Sequence, residues 1–179
     1  HNTRLDFFKN FVPVFLKRYN SISQNKEKVN ISYDSQLNHE SLDSLLKNSL
    51  EKDRIIQFTS CGVHKDDLIF EIDGYPIKKL GSQGQQKSFL ISLKLAQFDY
   101  LKIESNSSPI LLLDDIFDKL DNKRVQQLVQ LVNNDEFGQL FISDTDLYRT
   151  EAIIKKIDST YKMFELSLIH ISEPTRHRS

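Results

Sequence analysis

ILLLDDIFDKLD, Ile110 to Asp121, sets four aliphatic residues directly against two adjacent aspartates. A short run without polar interruption reads as a strand that is apolar on both faces, and such strands lie centrally in parallel sheets. Successive side chains on an extended chain point in opposite directions. Asp114 and Asp115 therefore leave the strand end pointing different ways. Open α/β sheets bind ligands at this carboxyl edge. There one carboxylate can hold magnesium or a magnesium-bound water while the other faces a reacting phosphate. The same letters also describe the plain start of a loop, with one aspartate capping a helix.

The flanking sequence supplies the architecture. Asp121 or Asn122 caps a helix through Val132, GQLFIS (Gly138–Ser143) reads as a second buried strand, a helix follows near Leu147–Ile157, and Tyr161–Leu166 reads as a last strand. Upstream, the polar cluster GSQGQQ opens a helix with Phe89, Leu93, Ala96 and Tyr100 on one face. At ~1.5 Å per residue it spans about 30 Å. It ends at SNSSP. The second half is thus strand–helix–strand–helix–strand, an α/β layout. Earlier in the chain, Leu5, Phe8, Val12, Phe15 and Tyr19 recur at helical spacing, and Pro13 is expected to kink or interrupt that helix. Val29, Ile31 and Tyr33 alternate as a half-buried strand does, and Leu42, Leu45, Leu46 and Leu50 share a helix face. Ile55–Thr59 reads as a short strand, and Leu68–Ile72 as a strand turning at Asp73-Gly74.

Two motifs resemble those of ABC-type ATPases. ILLLDD is similar to a Walker B strand, and DKLD (Asp118, Lys119, Leu120, Asp121) to the D-loop that follows it and contacts a partner subunit. GSQGQ (Gly81–Gln85) is similar to the signature usually written LSGGQ: Ser82 and Gly84 match, while Gly81 stands for the leucine and Gln83 for the first glycine. The physics agrees with an anion site, because a helix N-terminus carries free N–H groups and partial positive charge. Ser82 as a simple helix cap remains the alternative.

Taken together, GSQGQQKSFLISLKLAQFDYLK, PILLLDDIFDKLDNKRVQQLV and GQLFISDTD resemble the C-terminal half of the RecF family, with VHKDDLIFEIDGYPIKKLGSQGQQ extending the match upstream. Relatives often carry Gly-Pro-His where this chain has Gly62, Val63 and His64. The resemblance covers about residues 5–166 and implies part of an ABC-type ATPase head with a parallel-sheet core: residues 1–60 in a helical lobe, 61–166 in the head, and 167–179 a disordered or foreign tail. It further implies ATP and Mg2+ as cofactors and a homodimer closing around ATP on DNA at single-strand/double-strand junctions. RecO and RecR would be partners, placing RecA at gaps in recombinational repair and replication restart.

Residue roles follow by resemblance. Asp114 holds Mg2+ directly or through water, and Asp115 stands where a catalytic glutamate usually orients the attacking water. Ser82, Gln83, Gly84 and Gln85 act in trans on nucleotide held by the opposite subunit, and Asp118 to Asp121 cross the dimer as the D-loop. Thr145 occupies the position of the switch histidine, between Asp144 and Asp146. The Walker A pattern GxxxxGK[ST] does not occur in this sequence. Without that phosphate cradle the segment by itself is expected to be inactive, whereas its parent is expected to hydrolyse ATP.

Other features are bland. His64 reads as a loop histidine beside Asp66 and Asp67, and Lys78, Lys79 and Lys87 as either a phosphate-attracting or a solvated face. A formal net charge of −1 argues neither for nor against a nucleic-acid partner. The lone Cys61 excludes an internal disulfide and fits a reducing cytoplasm. His1 in place of methionine reads as a cut into a longer protein. Two alternatives compete: another SMC-like repair ATPase head, disfavoured by the lack of sustained heptads between residues 20 and 80, and a non-catalytic interaction module without Walker A.

Overall fold

The computed structural model describes residues 1–133, 137–155 and 161–166. The elements are α1 (Asn2–Ser23), β1 (Val29–Asp34), α2 (Leu42–Ile56), β2 (Asp67–Ile72), β3 (Tyr75–Pro76), α3 (Ile77–Leu80), α4 (Gln83–Ser105), β4 (Ile110–Leu113), α5 (Asn122–Asn133), β5 (Gln139–Ile142) and α6 (Leu147–Ile154), with single 3₁₀ turns at Gln36–Asn38 and Val63–Lys65.

Helix α4 is the spine. Ile91, Leu95 and Phe98 face one apolar cluster, built with Leu111 and Leu113 of β4, Ile116 and Phe117 after it, and Val125, Leu128 and Val129 of α5. Phe89 and Ala96 face a second cluster, formed by Phe11, Phe15 and Tyr19 of α1 with Ile31 and Ile72 of the first sheet. A helix buried on two sides needs small residues where neighbours crowd it. Ser88 and Ser92 are fully buried there. Each hydroxyl donates to the carbonyl four residues back, Ser88 to Gly84 O at 2.7 Å and Ser92 to Ser88 O at 2.8 Å. Such back-bonding satisfies a buried hydroxyl within its own helix. Arg18 clamps α1 to α4 through a two-pronged pair with Asp99, Nε to Oδ2 at 2.6 Å and Nη2 to Oδ1 at 2.5 Å. Paired charge-assisted bonds of this kind fix orientation as well as distance.

There are two sheets among the described residues. β1, β2 and β3 are antiparallel, with Val29 opposite Ile72 and Asp34 opposite Asp67. Asp73 and Gly74 take left-handed φ values of 49° and 83°. The tight β2–β3 turn requires positive φ at both central residues. β4 and β5 are parallel, Ile110 opposite Gln139 and Leu113 opposite Ile142. They are joined through α5 as a βαβ unit. This sheet puts Asp114 and Ser143 side by side at its carboxyl edge.

Four expectations are corrected. Pro13 does not interrupt α1, which runs from Asn2 to Ser23 with the proline on an exposed position. Ile55 and Ile56 are the last residues of α2 rather than a strand, and Gln57 stops that helix in the left-handed conformation. Tyr161–Leu166 form no strand, since no described segment pairs with them. β4 is buried on one face only: Leu111 and Leu113 are 6% and 4% exposed, whereas Ile110 and Leu112 are 59% and 67% exposed. Among the described residues its sheet has two strands and helical cover on one side, so the other apolar face has no layer against it. The expected tail, residues 167–179, and the 157 end of the last helix lie outside the described residues.

Candidate functional site

Ser82 is the N-cap of α4. Its Oγ accepts the Gln85 N–H at 3.2 Å, and the Gln85 Oε1 accepts the Ser82 N–H at 2.8 Å. The two bonds complete a capping box. Such caps contribute about 0.5–2 kcal/mol to a helix. The cap uses Ser82 Oγ as an acceptor, so its O–H remains a donor for an anion. The side chain of Ser82 and the neighbouring Gln83 are exposed. Gln85 faces inward instead: its Nε2 donates to Glu27 Oε1 at 3.0 Å.

The glycines of this turn have steric reasons. A Cβ on Gly81 would stand 2.6 Å from the Ile77 carbonyl oxygen, which the Gly81 N–H already approaches. Only glycine fits where the signature pattern has leucine, because α3 turns directly beneath. A Cβ on Gly84 would meet the Lys119 carbonyl oxygen at 3.2 Å. The signature-like turn and the D-loop-like turn are thus in backbone contact, which residue spacing alone did not reveal.

At the sheet edge the two aspartates separate as expected. Asp114 is exposed, and its Oδ1 accepts the Ser143 hydroxyl. Asp115 adopts a left-handed φ of 48°, and Ser143 Oγ accepts its N–H at 3.1 Å. Aspartate tolerates that backbone conformation better than most residues. Ser143 N–H in turn donates to the Leu113 carbonyl at 3.0 Å, so one serine fixes both aspartates. Asp115 Oδ1 is buried without a hydrogen-bond partner. A buried acceptor left open marks a place for water or an ion. Together with exposed Asp114 this donor set fits a hard cation bound through one carboxylate and waters, with phosphate completing the shell. Among the described residues no cluster of three or more His, Cys, Asp or Glu could hold a metal by itself.

The D-loop-like turn follows immediately. Ile116 and Phe117 are 2% and 1% exposed and anchor it in the core. In the turn, Lys119 is exposed and left-handed at a φ of 62°, while Asp118 and Leu120 are half-buried and Leu120 packs against the core. Asp121 caps α5, its Oδ1 accepting the Arg124 N–H at 2.8 Å. Thr145 is exposed two residues past Ser143, on a turn where Asp144 accepts the Thr145 N–H at 2.9 Å and the Thr150 hydroxyl at 2.8 Å.

Sequence reading missed Glu27, Arg124, Tyr19 and Ser143. Glu27 sits between α1 and β1; its Oε1 pairs with Arg124 Nη2 at 2.5 Å and its Oε2 accepts the Tyr19 hydroxyl at 2.6 Å. Burial alone would push the Glu27 carboxyl up, but donors from Tyr19, Arg124 and Gln85 outweigh it and hold it below the usual carboxylate range. Burial, then the bond to Glu27, pushes the Tyr19 phenol well above its ordinary value. His64 bonds through Nε2 to the Thr59 carbonyl at 3.0 Å, a loop contact. Cys61 is buried, and Lys78 and Lys79 are exposed.

No family model matches the chain. The DNA replication and repair protein RecF of Flavobacterium johnsoniae is 55% identical over 163 residues, covering 91% of this chain and 45% of that protein. The protein of the same name from Bacteroides thetaiotaomicron is 50% identical over 167 residues, covering 93% and 45%. The chain therefore spans about half the length of the curated relatives it matches. Among solved structures, that of the recombination mediator protein RecF-ATP in the RecFOR pathway matches with a TM-score of 0.65 at 27% identity, over 82% of this chain and 41% of that one. The fold is accordingly that of an ABC-type ATPase, represented here by a part.

Proposed function

We propose, on the premise that this chain belongs to the RecF family and corresponds to its C-terminal segment, that its intact parent is an ATP-dependent DNA-binding protein of recombinational repair. In this reading the parent dimerises on ATP at single-strand/double-strand junctions in the cytoplasm and helps RecO and RecR place RecA. The observation that carries it is the composite edge: the capped signature turn at Ser82, the D-loop touching it at Gly84, and the open acceptor of Asp115 at the sheet edge. Relatives named as RecF and a RecF-ATP neighbour support the same reading.

The residues then divide the work. Asp114, exposed and oriented by Ser143, holds Mg2+ directly or through water, and Asp115 offers its unpartnered oxygen to the attacking water. Bound Mg2+ would neutralise charge on the terminal phosphates. Aspartate is one methylene shorter than the usual glutamate, so that water would have to sit closer or turnover would be slow. Ser82 donates its free hydroxyl proton, and the first turn of α4 its N–H groups, to the terminal phosphate of nucleotide held by the opposite subunit. Thr145, on the Asp114 and Asp115 side, would offer an uncharged hydrogen-bonding group to the γ-phosphate at the switch position. Residues 1–60 belong with the helical lobe and 61–166 with the head, although β1 and β2 pair across that division. The segment alone is inactive, because the Walker A cradle is supplied by the remainder of the parent.

In the intact protein, Asp115→Asn is expected to retain ATP-driven dimerisation while turnover falls by roughly 10²–10⁴-fold. Turnover at the parental rate, measured by phosphate release, removes Asp115 from the mechanism.

A further inference from the structure

One buried ion pair, outside every motif, ties the two trans-acting turns together. Glu27 and Arg124 side chains are 14% and 13% exposed, and Tyr19 beneath them is fully buried. From Glu27 Oε1, one arm goes to Gln85 Nε2 at 3.0 Å, the last residue of the signature-like turn. The other goes to Arg124 Nη2 at 2.5 Å. Arg124 then branches: Nη1 donates to Ser88 Oγ at 2.9 Å, and that hydroxyl donates to the Gly84 carbonyl. Nε stands 3.6 Å from Asp121 Oδ2, the last residue of the D-loop-like turn, which also caps the helix bearing Arg124. Both turns therefore hang from the same guanidinium and carboxylate, and they meet in between at Gly84 and Lys119.

Reactive constellations need their parts held to within about 0.5 Å. Two partly exposed turns at the starts of different helices need a shared anchor to hold that register. A planar guanidinium with fixed donor directions does so, where a lysine ammonium would not. We propose that Glu27 and Arg124 are positioning residues that lock the signature-like turn (Ser82–Gln85) and the D-loop-like turn (Asp118–Asp121) into one rigid surface, which closes as a unit on nucleotide presented by a second subunit.

The inference rests on the trans reading above, and the test separates the two. In the intact protein, Glu27→Gln and Arg124→Lys are compared with the parent for ATP binding by the monomer at low concentration, for ATP-dependent dimerisation by sedimentation, and for thermal melting. Both variants are expected to bind ATP within about twofold of the parent and to need roughly tenfold more protein, or more, to dimerise. The double variant Glu27→Gln/Arg124→Gln, which leaves no buried charge unpaired, should melt closer to the parent yet dimerise no better. Should Glu27→Gln fail to fold, Tyr19→Phe removes one bond to the same carboxylate and is read in the same way, with a smaller shift. Variants that melt lower but dimerise at the parental concentration, below their melting temperature, overturn the positioning role and leave the trans reading intact. A parent that does not dimerise with ATP overturns both.

Discussion

Glycine at position 84 makes a sharper statement than the motif it belongs to. Its backbone lies so close to the Asp118–Asp121 turn that a methyl group would already stand 3.2 Å from the Lys119 carbonyl oxygen. Gly84→Val in the intact protein should push the two turns apart. Turnover is expected to fall about tenfold or more, about 1.4 kcal/mol of lost transition-state stabilisation, with ATP binding by the monomer retained. Steady-state hydrolysis against protein concentration checks this, and parental turnover would mean the two turns need no contact. At this scale the sequence nominates the residues with spacing to lean on: Ser82, Asp114, Asp115 and the 118–121 turn. It did not disclose Glu27 or Ser143. A lone glutamate in a loop and a serine at a strand end carry no periodicity, and only folding brings them against Gln85, Arg124 and the two aspartates.

Among elements, α1 and α4 carry the packing that sets the site. The Arg18–Asp99 pair joins them with side chains 8% and 19% exposed. Arg18→Ala would strand a largely buried carboxylate, and removing one partner of such a pair destabilises by about 3–5 kcal/mol. The melting temperature of the intact protein should drop accordingly, and Arg18→Met with Asp99→Leu should recover most of the loss. A single variant melting with the parent would show the pair to be solvated. Element boundaries were legible where capping letters exist, as at Ser82 and Asp121. They were misread where local propensity opposed context. The β-branched Ile55-Ile56 pair looks extended but completes a helix already propagating from its cap. Pro13 looks like a breaker but sits on the solvent side of a helix held by Phe11, Phe15 and Tyr19.

The whole molecule is asymmetric about its parallel sheet. One face is packed under α4 and α5, while Ile110, Leu112 and Phe141 are exposed on the other, Phe141 by 49%. The aliphatic run Ile110–Leu113 announced the strand but not its burial, since only Leu111 and Leu113 are covered among the described residues. The α/β class was readable from element order, because a strand–helix–strand unit with apolar strands has few other solutions. Of the antiparallel sheet, the β2–β3 turn at Asp73-Gly74 was readable, but the β1–β2 pairing was not, since β1 finds β2 across the whole of α2 and no local turn links them. Above all of this stands one claim, that the chain lends a surface to nucleotide bound elsewhere. Its most direct test is sedimentation of the intact protein carrying Ser82→Arg, with and without ATP, beside a measurement of ATP binding. The expected result is a monomer that still binds ATP but no longer pairs in its presence. A variant that dimerises with ATP as the parent does, or that loses ATP binding as a monomer, would contradict the claim.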